Sequence, residues 1–175
     1  SGIQYITAID DVELGKVSRV FEDKQGEEWV FSDKGVSIFG KRTISSYPFS
    51  MFETMDNLVF LASQNGRLAY YDVNTMQFNI VPFQEKIQHI NGIKVLKDNQ
   101  LAVLSDKGLY LCHFPELAME KYDFSLPGHD DAAVRKVYQD SKGFLWIFTG
   151  LPGIIRLDPE TGVKQYLRSE ERRVG

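Results

Sequence analysis

The 175-residue sequence predicts an all-β fold, a β-propeller or part of one, with about four blades of four antiparallel strands. Three observations lead there. A unit of strand–turn–strand segments recurs along the chain, its turns carry the residues that tight turns require, and several strands are apolar at consecutive positions.

The unit is clearest at residues 134–166. Val134–Tyr138 is strand-like and meets the turn Asp140-Ser141-Lys142-Gly143, and Phe144–Phe148 follows up to Thr149-Gly150-Leu151-Pro152-Gly153. Ile154–Leu157, the turn Asp158–Gly162 and Val163–Tyr166 complete four strands joined by tight turns, an antiparallel meander. Residues 17–39 repeat the pattern V-x-x-V-[FY]-x-D-x-x-G-x-x-W-[VI]-F, so Asp23, Gly26 and Trp29 correspond to Asp140, Gly143 and Trp146. Residues 49–72 and 93–114 are looser copies. The former has Asn57 in place of the first-turn glycine; the latter repeats Ser32-Asp-Lys-Gly35 as Ser105-Asp-Lys-Gly108. The second-turn glycines are then Gly35, Gly66, Gly108 and Gly153, at the spacing of propeller blades.

In chain order, residues 1–16 supply a strand, Ile3–Ile9, and an acidic loop, Asp10–Lys16. That strand is surplus to the four units and reads as the outer strand of a preceding blade. Blade one is residues 17–46, with a weak fourth strand at Thr43–Ser45. Blade two is 47–89, closing with the strand Phe78–Val81. Blade three is 90–133, with a longer third turn, His113–Met119, that has room for a helical turn. Blade four is 134–167, and 168–175 is a charged tail. Consecutive apolar residues at Leu58–Ala62, Leu101–Leu104 and Phe144–Phe148 predict strands covered on both faces, as in sheets stacked around an axis. Trp29 and Trp146 are each expected to fill the gap to a neighbouring blade, burying on the order of 200 Å². Ending on an unmatched blade would leave apolar faces exposed, so self-association is expected; two four-blade halves would complete an eight-bladed ring.

Composition narrows the function. A formal net charge of −4 argues against binding a nucleic-acid backbone. The single cysteine, Cys112, excludes an internal disulfide framework. No apolar run approaches the roughly 18 residues of a membrane helix, so no membrane contact is expected of this segment.

The pattern V-x-x-[VI]-x-x-D-x-x-G-x-x-W-[VI]-x-[ST], carried by Val17–Ser32 and Val134–Thr149, resembles the two-component regulator propeller repeat. The middle units match loosely, lacking the tryptophan and the first glycine. The resemblance implies a periplasmic sensor segment of an inner-membrane hybrid two-component system of Bacteroides type. There, propellers respond to oligosaccharides and signal to a histidine kinase, and a phosphorelay switches on polysaccharide-utilisation genes. Similar repeats occur in streptogramin-lyase-like propellers, so an enzyme of that group and a structural protein-interaction module are the alternatives.

The residues themselves point to binding more than to catalysis. The Asp-x-x-Gly turns lack the alternating oxygen ligands of a calcium loop, and His89, His113 and His129 keep no metal-ligand spacing. No cofactor or metal is called for. No nucleophile motif or carboxylate pair appears, and turn formation accounts for Asp158–Gly162. His129 is the one histidine attractive for lyase-like chemistry, without a nameable partner, and no catalytic residue is assigned. For ligand binding, the loops that enter the innermost strands carry Tyr47, His89, Asn91, His129 and Arg135. A flat ring beside planar hydrogen-bonding groups suits a sugar, whose apolar face stacks and whose hydroxyls need fixed partners.

Overall fold

The computed structural model describes residues 7–9, 12–23, 26–40, 44–128 and 133–168. These form strands and turns, with no helix among them. A short hairpin, β1 (Ala8–Ile9) and β2 (Val12–Glu13), comes first. Four four-stranded sheets follow. The first holds β3 (Val17–Glu22), β4 (Glu28–Ser32), β5 (Gly35–Phe39) and β6 (Ile44–Tyr47); the second holds β7 (Met51–Met55), β8 (Leu58–Ala62), β9 (Leu68–Asp72) and β10 (Gln77–Ile80). The third holds β11 (Ile90–Leu96), β12 (Gln100–Ser105), β13 (Gly108–His113) and β14 (Ala118–Tyr122). The fourth holds β15 (Val134–Gln139), β16 (Leu145–Thr149), β17 (Ile154–Leu157) and β18 (Lys164–Leu167). Every sheet is an antiparallel meander in chain order, a propeller blade.

The repeated residues are explained by hydrogen bonds in the turns. In blade four the Asp140 carboxylate accepts the backbone N–H groups of Lys142 (2.9 Å) and Phe144 (3.1 Å) on one oxygen. Its other oxygen accepts the indole N–H of Trp146 at 2.8 Å. In blade one Asp23 accepts the Glu27 N–H at 3.0 Å and the Trp29 indole at 3.1 Å. One side chain thus closes the turn and orients the ring two strand positions on, which is why aspartate, glycine and tryptophan recur together.

The Ser-Asp-Lys-Gly turn works similarly. The hydroxyls of Ser32 and Ser105 accept the N–H groups of Lys34 (3.2 Å) and Lys107 (3.0 Å) and donate to the carbonyls of Gly35 and Gly108. The following aspartate reaches back to the entry of its blade. Asp33 accepts the Lys16 N–H at 2.7 Å, and Asp106 those of Gln88 (3.2 Å) and His89 (3.1 Å). The glycine is obligatory: Gly108 has φ +125°, and a Cβ there would lie 2.4 Å from the carbonyl oxygen of Tyr122.

By contacts the chain divides into two units, residues 1–64 with 68–81, and residues 65–67 with 82–175. In the first, the Trp29 face of blade one packs on blade two. Trp29 is fully buried, its ring 4.5 Å from that of Tyr71, and Phe31 lies 4.2 Å from Phe52. Phe49, Val59, Leu61 and Ala69 complete this core. On blade one's other face Ile9 and Leu14 pack on Val30 and Phe39. In the second unit, Leu96, Ala102, Leu104, Leu109 and Leu111 of blade three meet Val137, Leu145, Ile147, Ile155 and Leu157 of blade four.

The structure departs from the sequence reading in several places. Of the expected strand Ile3–Ile9, residues 3–6 lie outside the described residues. Ala8–Ile9 pairs with Val12–Glu13, inside the segment read as a loop, because Ile9 and Leu14 find an apolar surface on blade one. The fourth strand of blade one is Ile44–Tyr47 rather than Thr43–Ser45, and that of blade two is Gln77–Ile80. The third turn of blade three contains no helix. It spans four residues, as does Val73–Met76 in blade two, and Leu117 matches Met76 in its left-handed φ of about 60°. Two-sided burial holds for β8, β12 and β13 but not for β16, whose Trp146 and Phe148 face outward. Trp146 is only half-buried, on a face whose Tyr138 and Phe148 are exposed.

Two outcomes test this account. Trp29→Ala should cost about 3–5 kcal/mol of unfolding free energy, and Trp146→Ala distinctly less, read from denaturant melts. Several carboxyls are held below the usual carboxylate range: Asp140 chiefly by the Trp146 indole, Asp158 by the Thr161 side chain and Asp72 by Asn57. Because their folded-state values are depressed, their contribution is complete above the ordinary aspartate range and disappears as pH falls through the folded values. Unfolding midpoints should therefore be steady from neutral pH to about pH 5 and drop below about pH 4, and Asp140→Asn should flatten part of that drop.

Candidate functional site

In the second unit blades three and four are tied along their innermost strands. Asn91 donates from its amide to the carbonyl of Val134 (3.0 Å), Lys94 to that of Val137 (3.4 Å) and Lys97 to that of Ser141 (3.5 Å). The Lys97 N–H donates to the Gln139 side-chain oxygen at 2.9 Å. Asn91, Lys94 and Lys97, three residues apart, thus hold the next blade, while the apolar cluster fills the space between the sheets.

Where the two blades end, at the side of their first and third turns, this packing opens into a cleft of about 330 Å³. Asp98 and Gln100 come from the first turn of blade three and the strand after it, and His113 is the last residue of β13, just before the third turn of that blade. Gln139, Lys142 and Phe144 surround the first turn of blade four, and Asp158 and Glu160 belong to its third. The volume lies within the range of small-molecule sites. Asp98, Asp158 and Glu160 outweigh Lys142 in charge, so the cleft favours hydroxyl-rich or cationic ligands over anions. One wall is braced by Tyr122, whose hydroxyl lies 2.9 Å from the Glu120 carboxylate and 3.4 Å from the Pro159 carbonyl. Burial first, then Glu120, pushes that phenol up to about 12, so it stays protonated as a donor.

His113 is the distinctive member. The third turns start at Asp72 in blade two and Asp158 in blade four, each carboxylate capping its own turn. Blade three has His113 at this place. Its Nε2 is shielded from solvent without a hydrogen-bond partner, 4.0 Å from a Glu120 carboxylate oxygen. A solvent-shielded ring nitrogen without a hydrogen bond is uncommon in a folded chain.

Of the residues singled out from sequence, His89, Asn91 and Arg135 of the second unit lie at the opposite end of their strands from this cleft. Tyr47 is the last residue of β6, paired with Val36, rather than part of a loop opening blade two. His89 precedes β11 and is exposed, held through its backbone N–H by Asp106. Asn91 is engaged by Val134, which makes it an inter-blade tie. Arg135 is exposed on β15 beside an irregularity in register. His129 lies outside the described residues. At that end Leu126, Leu151, Pro152 and Arg168 line a smaller hollow of about 190 Å³. In the sequence, turn formation accounts for Asp158–Gly162, and His113 keeps no ligand spacing that would mark it. Aligning the third turns, which sets His113 against two aspartates, is the signal that would have found them.

Cys112, beside His113, is buried in apolar surroundings that push its thiol up to about 12, so it is an inert packing residue. The phenol of Tyr110 donates to Glu85 at 2.5 Å, and Lys121 pairs with the same carboxylate, anchoring the segment before β11.

No family model and no curated protein matches the chain. Among solved structures it is similar to the extracellular domain of BT4673 from B. thetaiotaomicron, assigned once to a one-component and once to a hybrid two-component system. The TM-scores are 0.59 and 0.55, each at 15% identity, over 87% and 91% of this chain but 21% and 23% of those. It is also similar to virginiamycin B lyase from Staphylococcus aureus, with a TM-score of 0.60 at 12% identity over 87% of this chain and 55% of the lyase. The chain therefore spans from about a fifth to just over half of these structures' length. At such identities the likeness establishes the fold, an all-β propeller type.

If Asn91 is an inter-blade tie, Asn91→Leu should lower unfolding free energy by about 1–2 kcal/mol by leaving the Val134 carbonyl without its donor. His89→Ala, at an exposed side chain, should change it by less than about 0.5 kcal/mol. Denaturant titration of both variants checks the contrast.

Proposed function

We propose that the chain is a ligand-sensing propeller segment of a hybrid two-component sensor, periplasmic in location, that responds to a neutral glycan and alters the output of a histidine kinase. The observation that carries the reading is the cleft at the ends of blades three and four. It is ligand-sized, rich in planar amides and carboxylates, and borders the Phe144 ring and the His113 side chain. Sugars are bound by such sets, with amides and carboxylates fixing hydroxyls and a ring covering the apolar face. The repeat motif and the likeness to the extracellular domain of BT4673 support the sensor context.

The mechanism follows from where the cleft lies. Its residues come from turns of two blades whose strands are joined by the Asn91, Lys94 and Lys97 ties. A ligand touching both sets of turns favours the arrangement of the blades that fits it, and this differential affinity is the signal. Binding, rather than turnover, is the activity of this segment. A protein-interaction module is the second reading, favoured by the uncovered outer face of blade four.

Calorimetric titration with a panel of neutral oligosaccharides tests the proposal. At least one should bind, with affinity reduced tenfold or more in Gln100→Ala and Glu160→Ala and unchanged in His89→Ala. Absence of binding across the panel, or binding indifferent to both cleft variants, would overturn it.

A further inference from the structure

Blades one and four carry the same face, and only one of them is covered. In blade one Phe21 pairs with Trp29 and Trp29 with Ile38, while Arg19 pairs with Phe31. In blade four Tyr138 pairs with Trp146 and Trp146 with Arg156, while Lys136 pairs with Phe148. The two faces correspond position by position. On blade one Trp29 and Phe31 are 0% and 2% exposed because blade two lies on them. On blade four Tyr138 is 55% and Phe148 40% exposed. The guanidinium of Arg156, 5.9 Å above the Trp146 ring and 4.7 Å above that of Phe144, provides partial cover.

The far face of blade one has a complementary character. The hairpin β1–β2 covers Val30 and Phe39 there but leaves the innermost strand open, with Val20 58% exposed. Glu22 and Glu28, both exposed, stand directly opposite each other on that face. Like charges directly opposed in a sheet are destabilising unless a cation is brought to them. Lys136 and Arg156 are such cations, on a face that lacks a partner sheet.

We infer that the Trp146 face of blade four docks on the Val20–Glu22–Glu28 face of blade one in a second copy of this chain, head to tail. Arg156 and Lys136 meet the two glutamates, while Tyr138 and Phe148 are withdrawn from water. The contact joins two different surfaces, so it either closes on itself as a pair or propagates to larger species. The residues that test it differ from those that test the cleft, so failure of either inference leaves the other standing.

Light scattering on the full chain across a concentration series, at low and high salt, provides the test. The mass should rise with concentration to twice the monomer or more, and the association should weaken in high salt. Phe148→Glu, at an exposed position, should raise the dissociation constant at least tenfold while circular dichroism and the unfolding midpoint stay near wild type; Tyr138→Glu serves if that variant does not fold. Arg156→Glu and Glu28→Arg should each weaken self-association, and mixing the two variants should restore it. A constant monomer mass, association that survives loss of the aromatic face, or association indifferent to Glu28→Arg would overturn the inference. The last outcome would indicate that blade four pairs with its own counterpart instead.

Discussion

A carboxylate bound to an indole is the contact from which the blades at both ends of this chain are organised. Asp23 and Asp140 each spend one oxygen on the backbone of their turn and the other on a tryptophan ring nitrogen. The first set of bonds sets the register of the innermost pair of strands. The other directs the tryptophan to the outward side of the sheet, the side on which the next blade must lie. Local turn chemistry and long-range packing are thus coupled through one residue, and consistency between these levels makes a repeat foldable.

Given that coupling, stability depends on what meets the tryptophan. In the first unit the next blade offers Tyr71, Val59 and Leu61, and the ring is removed from water completely. Blades three and four of the second unit rely on aliphatic residues and on a row of side-chain donors reaching to neighbouring carbonyls. Blade four repeats the motif of blade one without the cover. The same sequence signature therefore marks a core residue in one place and a half-buried surface residue in another.

The cleft arises from the geometry of stacked blades. Sheets packed face to face stay in contact along the strands, and their turns separate at the ends, where polar residues replace apolar ones. Its chemistry is set by an exchange within the repeat. Aspartates that satisfy their own turns in blades two and four give way to His113, whose Nε2 makes no hydrogen bond and lies 4.0 Å from Glu120 of its own blade.

The fold was legible in the sequence because its causes are local. Asp-x-x-Gly turns, Ser-Asp-Lys-Gly turns and runs of β-forming residues act over a few neighbours, and their recurrence announces four equivalent sheets. The site was far less legible. Whether Asn91 faces a ligand or the Val134 carbonyl depends on a strand 43 residues away. Whether Trp146 is core or surface depends on the presence of a neighbour that its own residues do not encode. Pattern within a blade follows from the pleat and the turns, whereas burial, pairing across blades and the cleft follow from which sheet lies against which, and only the tertiary structure decides that.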